Sequence, residues 1–241
     1  MIGCDCKVCT SGHAKDKRLR SSVLLQSSET HVIVDTGPDF RYQMLRHGVR
    51  KLDAVVFTHP HKDHIAGLDD IRAFNYLQQR PMDVYANYLT EEALRRDYYY
   101  AFTDTKYPGI PEINLHTITE EAFSIKELHV QPILTWHMKM PVLGFRFGDF
   151  TYITDANRIE PEEKEKIKGS KVLVLNALRR EPHVAHFTLH EAIALVQELQ
   201  VPKAYFTHIS HQLGLHHTIE KELPEGIHLA YDGLELHFDQ H

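Results

Sequence analysis

Thr58-His59-Pro60-His61-Lys62-Asp63-His64 is the stretch that decides the fold of this chain. It follows the apolar segment Asp53 to Phe57, whose Val55, Val56 and Phe57 show no alternation and read as a strand buried on both faces. Ile65 to Gln79 reads as the helix that follows. The run therefore lies on a strand-to-helix loop, where open α/β sheets hold their chemistry. Three imidazoles and a carboxylate between positions 59 and 64 are more ligands than one tetrahedral ion takes from so short a span. The spacing points to two metals side by side. The bland alternative, a polar loop that merely contains histidines, is weakened by the agreement of motif and context.

The chain has 241 residues, 42% of them hydrophobic, which is ample for a substantial core. Candidate ligands are spread along its length, so one domain over residues 1–241 is expected. A net charge of −6 argues against a broad nucleic-acid footprint, although basic clusters occur at Lys15 to Arg20 and at Arg179-Arg180. No apolar run approaches the roughly 20 residues that span a bilayer, and the first residues lack a charged-then-apolar leader. The expectation is a cytoplasmic protein with no membrane partner.

All three cysteines fall in Gly3-Cys4-Asp5-Cys6-Lys7-Val8-Cys9. An odd, clustered set without a secretory signal is poor material for disulfides and good material for a metal. A structural zinc wants four ligands, so a distant residue, best a histidine, must complete the site and staple the N-terminus to the fold. Three reduced thiols on a loose terminus are the competing reading.

Along the chain, Ser22 to Gln26 and His31 to Thr36 read as strands joined by a turn. Asp35 closes the second, where it either orients a metal-bound histidine or caps a helix over Pro38 to His47. Thr90 opens a further helix running toward Tyr98-Tyr99-Tyr100. The irregular stretch Ala101 to Pro111 with these tyrosines is a lid, a dimer contact or local packing. Leu128 to Thr135, Val142 to Phe147 and Thr151 to Thr154 read as strands, which places His137 and Asp155 at strand ends as candidate ligands. Thr188-x-x-Glu191 is a capping box, so His186 lies just before a helix N-terminus. Ala204 to Phe206 leads into Thr207-His208-Ile209-Ser210-His211-Gln212. Ile227 to Tyr231 and Leu234 to Phe238 read as a final hairpin around Asp232-Gly233.

The ordered set His59-x-His61-x-Asp63-His64, His137, Asp155 and His208 resembles that of the metallo-β-lactamase superfamily. More narrowly, Gly-Cys-x-Cys-x-x-Cys with Thr207 to Gln212 is similar to the PhnP-like branch, typified by a cyclic phosphodiesterase of phosphonate degradation. The resemblance covers nearly the whole chain and implies a four-layer αββα sandwich. It implies that His59, His61 and His137 hold one metal, that Asp63, His64 and His208 hold the other, and that Asp155 bridges them. It implies a separate structural zinc on Cys4, Cys6, Cys9 and His211, and a His186 poised near the leaving group. Relatives begin with a strand and a glycine-rich turn before the cysteines. This sequence shows neither, so a first strand is expected to be missing.

The implied activity is hydrolysis of a phosphodiester, such as a phosphoribosyl 1,2-cyclic phosphate, by a hydroxide between two zinc or manganese ions. Asp63 and Asp155 act as ligands of that pair, and His186 as general acid. Arg179 or Arg180 is a weaker candidate for gripping a second phosphate. His186-Phe187-Thr188 also resembles the motif of tRNA 3′-end endonucleases, but no tRNA-gripping arm is evident. A lactonase or thioesterase remains open, as does a silent zinc scaffold. A diiron oxidoreductase is disfavoured, because those relatives carry Glu where His61 stands. The expected substrate is a small molecule and nucleic acid is not expected; the oligomeric state stays open, with a homodimer as the alternative that the tyrosine-rich segment offers.

Overall fold

The structure, a computed structural model, describes residues 1–103 and 108–238. The chain divides into two compact units, Arg20–His129 and Met1–Leu19 with Val130–His241. Each is a sheet with helices packed on it, a mixed α/β architecture.

The unit Arg20–His129 carries a five-stranded sheet in the order β1 (Val23–Gln26), β2 (His31–Val34), β3 (Ala54–Val56), β4 (Met82–Ala86), β5 (Ile113–Thr117). The first pair is antiparallel and the rest are parallel. Parallel neighbours need crossovers, and α1 (Phe40–Arg46), α3 (Arg72–Gln78) and α4 (Tyr88–Asp97) supply them. Ile33, Val55 and Val84 of the sheet pack with Phe40, Met44, Phe74 and Leu94 of these helices. Between β3 and α3 lies the short α2 (Lys62–Ile65).

The expected single helix over Ile65 to Gln79 is interrupted. After α2 the chain passes through Gly67 and a 3-10 turn at Leu68–Ile71 before α3 begins. The cause is a close approach: a Cβ at Gly67 would run into the Gly37 carbonyl and Phe40, and one at Gly37 into the Asp63 carbonyl. Thr36 N–H donates to His64 O and Gly67 N–H to Thr36 O, both at 2.8 Å. Two backbone strips are thus held together where the histidine run begins its helix.

α4 starts two residues earlier than expected. Its N-cap is Asn87, whose Oδ1 accepts Thr90 N–H at 2.9 Å, while Thr90 is buried in the first turn. Tyr98 is buried and donates to Ile65 O at 2.7 Å, and Tyr100 donates to Asp69 at 2.6 Å, so two of the three tyrosines serve local packing. Of the stretch Ala101 to Pro111, residues 104–107 lie outside the described residues.

The strand β6 (Phe123–Ile125) precedes the second unit. That unit's sheet runs β10 (Arg158–Ile159), β7 (Leu128–His137), β8 (Met140–Phe147), β9 (Phe150–Ile153), β11 (Val172–Asn176), β12 (Lys203–Thr207), β13 (Ile227–Leu229). Strands from β9 to β13 are parallel neighbours, so their C-terminal ends share one edge. α5 (Pro161–Ile167) and α6 (Leu189–Glu198) place Ile167, Ala192, Leu195 and Val196 against Ile153, Leu173, Leu175 and Phe206. α6 opens with the expected capping box, Thr188 and Glu191 satisfying each other's backbone. A last short helix, α7 (His216–Ile219), follows β12.

The expected final hairpin does not form. β13 pairs in parallel with β12, and Leu234 to Phe238 has no strand partner among the described residues. The turn at Asp232-Gly233 is present, with Gly233 at φ 87° and Leu234 N–H on Tyr231 O, but Leu19 N–H holds the Asp232 carboxylate and Phe238 packs its ring on Phe150 at 5.6 Å. Among the described residues, no helix is long and apolar enough to cross a membrane.

Gly67→Ala is expected to cost about 1–3 kcal/mol by overpacking the strip beside His64. A lower urea midpoint checks this, and an unchanged midpoint would show that the strips part without penalty.

Candidate metal-binding sites

In the unit Arg20–His129, β3 delivers the chain to Thr58 and His59, and α2 begins with His61 at its N-cap. His59 and His61 therefore lie on the loop, and Asp63 and His64 on the first helical turn. The His59 ring centroid is 4.7 Å from that of His61 and 4.2 Å from that of His64. Asp63 faces Arg20, with Nη1 at 3.7 Å from its carboxylate.

Asp35 takes the orienting role of the two expected for it. It follows β2 at φ 65° and is fully buried. Its Oδ1 accepts Thr58 N–H at 2.9 Å, and its Oδ2 lies 2.9 Å from Thr58 Oγ1 and 2.7 Å from His64 Nδ1. An ionised carboxylate only accepts, so the hydroxyl and the imidazole both donate to it. With its proton committed, Thr58 Oγ1 accepts from His59 Nδ1 at 2.9 Å. Both rings then carry hydrogen on Nδ1 and present an Nε2 lone pair, the state a metal ligand needs.

In the other unit, the candidate residues stand at the shared strand edge. Asp155 lies just beyond β9 at φ 53°, and His208 directly after β12 at φ 52°. Both conformations are uncommon outside glycine and cost about 1–3 kcal/mol where the surroundings impose them. Asn176, buried at the end of β11, imposes the first. Its Oδ1 accepts Ala156 N–H at 2.8 Å and its Nδ2 donates to Ala156 O at 2.9 Å. Thr154 Oγ1 donates to Asp155 Oδ1 at 2.8 Å, and His208 Nε2 lies 3.0 Å from the same oxygen. His137 ends β7, and its Nδ1 lies 3.1 Å from the Asp155 carbonyl. A carbonyl only accepts, so His137 also carries its hydrogen on Nδ1 and offers Nε2.

His186 joins this group. Ligand-type atoms of His137, Asp155 and His186 all lie within 4.8 Å of one another. The His186 ring sits edge-on to His137 at 4.6 Å and stacks on His208 at 4.9 Å. It is 9% exposed, and its Nδ1 has no hydrogen-bond partner. Burial pushes its imidazolium down to about 3, against the pull of the Asp155 charge.

Arg179 does not face a substrate. Its Nε donates to Glu181 O at 3.2 Å, its Nη2 to Pro182 O at 2.9 Å and its Nη1 to Gln212 Oε1 at 2.8 Å. Its fork folds the loop that carries His186. Arg180 pairs with Glu222. Of the two arginines expected to grip a second phosphate, Arg179 is thus committed within the protein, while Arg180 is half exposed and pairs at the surface.

At the N-terminus, Cys4, Cys6, Cys9 and His211 bring four ligand atoms within 4.8 Å of one another. His211 Nδ1 is 3.5 Å from Cys4 Sγ and 3.3 Å from Cys6 Sγ. The His211 hydrogen bond, with help from the Cys9 backbone, lowers the Cys6 thiol to about 6. The thiolate is the form that binds metal. Three sulfurs and one imidazole nitrogen are the chemistry of a closed zinc site.

Sequence reasoning missed Thr58, Asn176 and Asn157. Asn157 Oδ1 accepts Met138 N–H at 2.9 Å and its Nδ2 donates to Val184 O at 3.0 Å, which ties three loops together. A polar residue at a strand end was the available signal for Asn176, as it was for Asp35. For Thr58 and Asn157 the signal was adjacency to His59 and Asp155.

A family model for the β-lactamase superfamily domain matches residues 30–209. The chain is 39% identical to a diphosphatase from the PhnP family, whose crystal structure superposes with a TM-score of 0.92 over 99% of this chain and 92% of that one. It is 36% identical over 242 residues to a Porphyromonas gingivalis protein named octanoyltransferase, covering 99% of this chain and 49% of that protein. The chain thus spans about half the length of that curated relative. Zn2+-bound PqqB from Methylobacterium extorquens shares the fold, at 20% identity and a TM-score of 0.71 over 98% of this chain and 95% of that one. The divalent ions that this fold implies suit the Nε2 lone pairs and carboxylates described above. The ligand order along the chain, the two sheets and the near full-length match converge, and the chain belongs to the metallo-β-lactamase superfamily as a hydrolase of its PhnP-like branch.

Proposed function

We propose that this protein is a metal-dependent hydrolase of phosphorus–oxygen bonds in a small molecule whose reacting phosphorus bears two ester or anhydride oxygens. Phosphodiesters, including small cyclic phosphates, and diphosphates share that chemistry. The observation that carries the reading is the locked tautomer of His59, His64 and His137, each held at Nδ1 so that Nε2 is offered to a cation. The 39% identical relative is a diphosphatase, which favours phosphorus over carbon as the reacting centre. In this proposal the two units act as one catalytic domain. His59, His61 and His137 serve one ion, Asp63, His64 and His208 the other, and Asp155 both. Zinc and manganese both suit nitrogen with carboxylate ligands.

Two bound cations supply a hydroxide near neutral pH and neutralise charge gathering on the phosphoryl oxygens. The rest falls to the protein's own groups. Asp35 keeps the His59 and His64 rings from rotating, and Asn176 keeps the Asp155 carboxylate turned to its place. Hydrolysis forms one bond from water oxygen to phosphorus and breaks another, and the departing oxygen needs a proton. His186 is our candidate for passing it on. Burial keeps that ring neutral in the protein alone. It therefore first takes up a proton released as the attacking water bonds to phosphorus and then delivers it to the departing oxygen.

Acyl transfer has no comparable support, since the chain spans about half of the relative named for it. For that segment we propose a structural zinc held by Cys4, Cys6, Cys9 and His211.

With zinc or manganese added, the protein is expected to hydrolyse bis(p-nitrophenyl) phosphate faster than a lactone or a p-nitrophenyl ester. Asp155→Ala should lower that activity about a hundredfold or more. No turnover of any phosphodiester or diphosphate with either metal would sink the reading. His186→Ala should slow substrates with poor leaving groups by about a hundredfold or more and activated nitrophenyl esters much less. Equal losses would remove it as the acid. Cys6→Ser is expected to release one zinc per chain on elemental analysis and to lower Tm by about 5 °C or more. An unchanged Tm would count against a structural site.

A further inference from the structure

The loop between Leu178 and Phe187 carries a second histidine that none of the ligand sets uses. His183 is half-buried, and its ring lies 5.0 Å from that of His186 at an interplanar angle of 35°. His186 stacks in turn on His208 at 4.9 Å. Three imidazoles thus form a row that starts at a strand-end ligand, and His183 occupies its outer end.

The hydrogen bonding fixes what His183 offers. Its Nδ1 accepts Ala185 N–H at 3.2 Å. A ring nitrogen that accepts carries no hydrogen, so the neutral imidazole has its N–H on Nε2, the distal atom. The loop that presents it is held from several sides. Leu178 N–H donates to Phe187 O, Phe187 N–H to Ala156 O and Leu189 N–H to Arg179 O, all at 2.8 to 3.0 Å. Arg179 ties the carbonyls of Glu181 and Pro182, and Asn157 ties that of Val184. The donor is therefore in place before any ligand arrives, and ordering it on binding costs little.

We propose that His183 Nε2–H binds a phosphate oxygen of the leaving group, so that the enzyme prefers diphosphates to diesters whose leaving group bears no anion. This deepens the hydrolytic reading above and rests on it. When a diphosphate is hydrolysed, water oxygen bonds to one phosphorus and the bridging P–O bond breaks. The second phosphate leaves with the electron pair and takes up a proton. His186 stands beside the oxygen that departs. The outer oxygens of the departing phosphate then lie one ring further along the row, at His183. Arg179 spends its donors on Glu181, Pro182 and Gln212, and Arg180 pairs with Glu222 at the surface, whereas His183 is the donor of this loop that packs against His186.

If His183 merely packed against His186, its loss would slow every substrate alike. The test compares diadenosine diphosphate with bis(p-nitrophenyl) phosphate on the metal-loaded protein. His183→Phe keeps the ring contact and removes the donor, whereas His183→Gln keeps a donor amide without the ring. In His183→Phe the ratio of kcat/KM for the diphosphate over the diester is expected to fall about tenfold or more, chiefly through KM, the worth of one hydrogen bond to a charged group. In His183→Gln most of that ratio should return. Equal losses on both substrates in His183→Phe, or no recovery in His183→Gln, would overturn the assignment. A wild-type protein that cleaves the diester and ignores the diphosphate would overturn it too, while leaving the hydrolytic reading intact. Cleavage of neither would remove the hydrolytic reading itself.

Discussion

A single buried carboxylate governs the histidine run. Asp35 is out of water altogether, and an ionised group so placed costs several kcal/mol unless hydrogen bonds replace its hydration. Three do so here, from the Thr58 backbone, the Thr58 hydroxyl and His64 Nδ1. Charge-assisted bonds of this kind are short and strong, and they are directional. The same three bonds that make burial of Asp35 tolerable also decide which nitrogen of His59 and His64 carries hydrogen. Stability and ligand chemistry are in this sense one arrangement. The left-handed backbone at Asp35 and the glycine contacts of Gly37 and Gly67 bring the carboxylate to that spot.

The other unit solves a similar problem with a neutral amide. Asn176 stands at the end of β11 as Asp35 stands at the end of β2, but it grips the backbone of Ala156 instead of a ring. A carboxylate there would have one acceptor too many and no donor for the Ala156 carbonyl. The amide offers one of each, and Asp155 is thereby held in a conformation that its own backbone would not choose.

The histidine run was legible because its residues are neighbours in the chain. An unbroken apolar strand followed by His-x-His-x-Asp-His identifies a loop and its chemistry from local pattern alone. His137, Asp155 and His208 carry no such local mark, and only their strand-end positions pointed to them. Thr58, Asn157 and Asn176 offered only the weak signals of nearness to a ligand or a strand end, because the atoms they hold, those of Asp35, Val184 and Ala156, lie far off in sequence. The misplaced elements have the same origin. Ile65 to Gln79 has helical periodicity, but the contact of Gly67 with Gly37 breaks it. Leu234 to Phe238 alternates like a strand, but its last ring packs on Phe150 of β9. In each case a tertiary contact overrode a sound local signal.

The ligand set of such a fold is generic, since the same imidazoles and carboxylates suit attack at phosphorus or carbon. What distinguishes one hydrolase from another must therefore be sought where the chain departs from the shared scaffold. In this chain the loop from Leu178 to Phe187 carries His186 to the strand-end ligands. A guanidinium fork is an effective anion receptor, and a loop meant to close over substrate would leave it free until the substrate came. Arg179 instead spends its donors on the loop's own carbonyls and on Gln212. The loop's shape is consequently set in advance. The two imidazoles it displays are thereby fixed in place, His186 buried beside the strand-end residues and His183 packed on its other side.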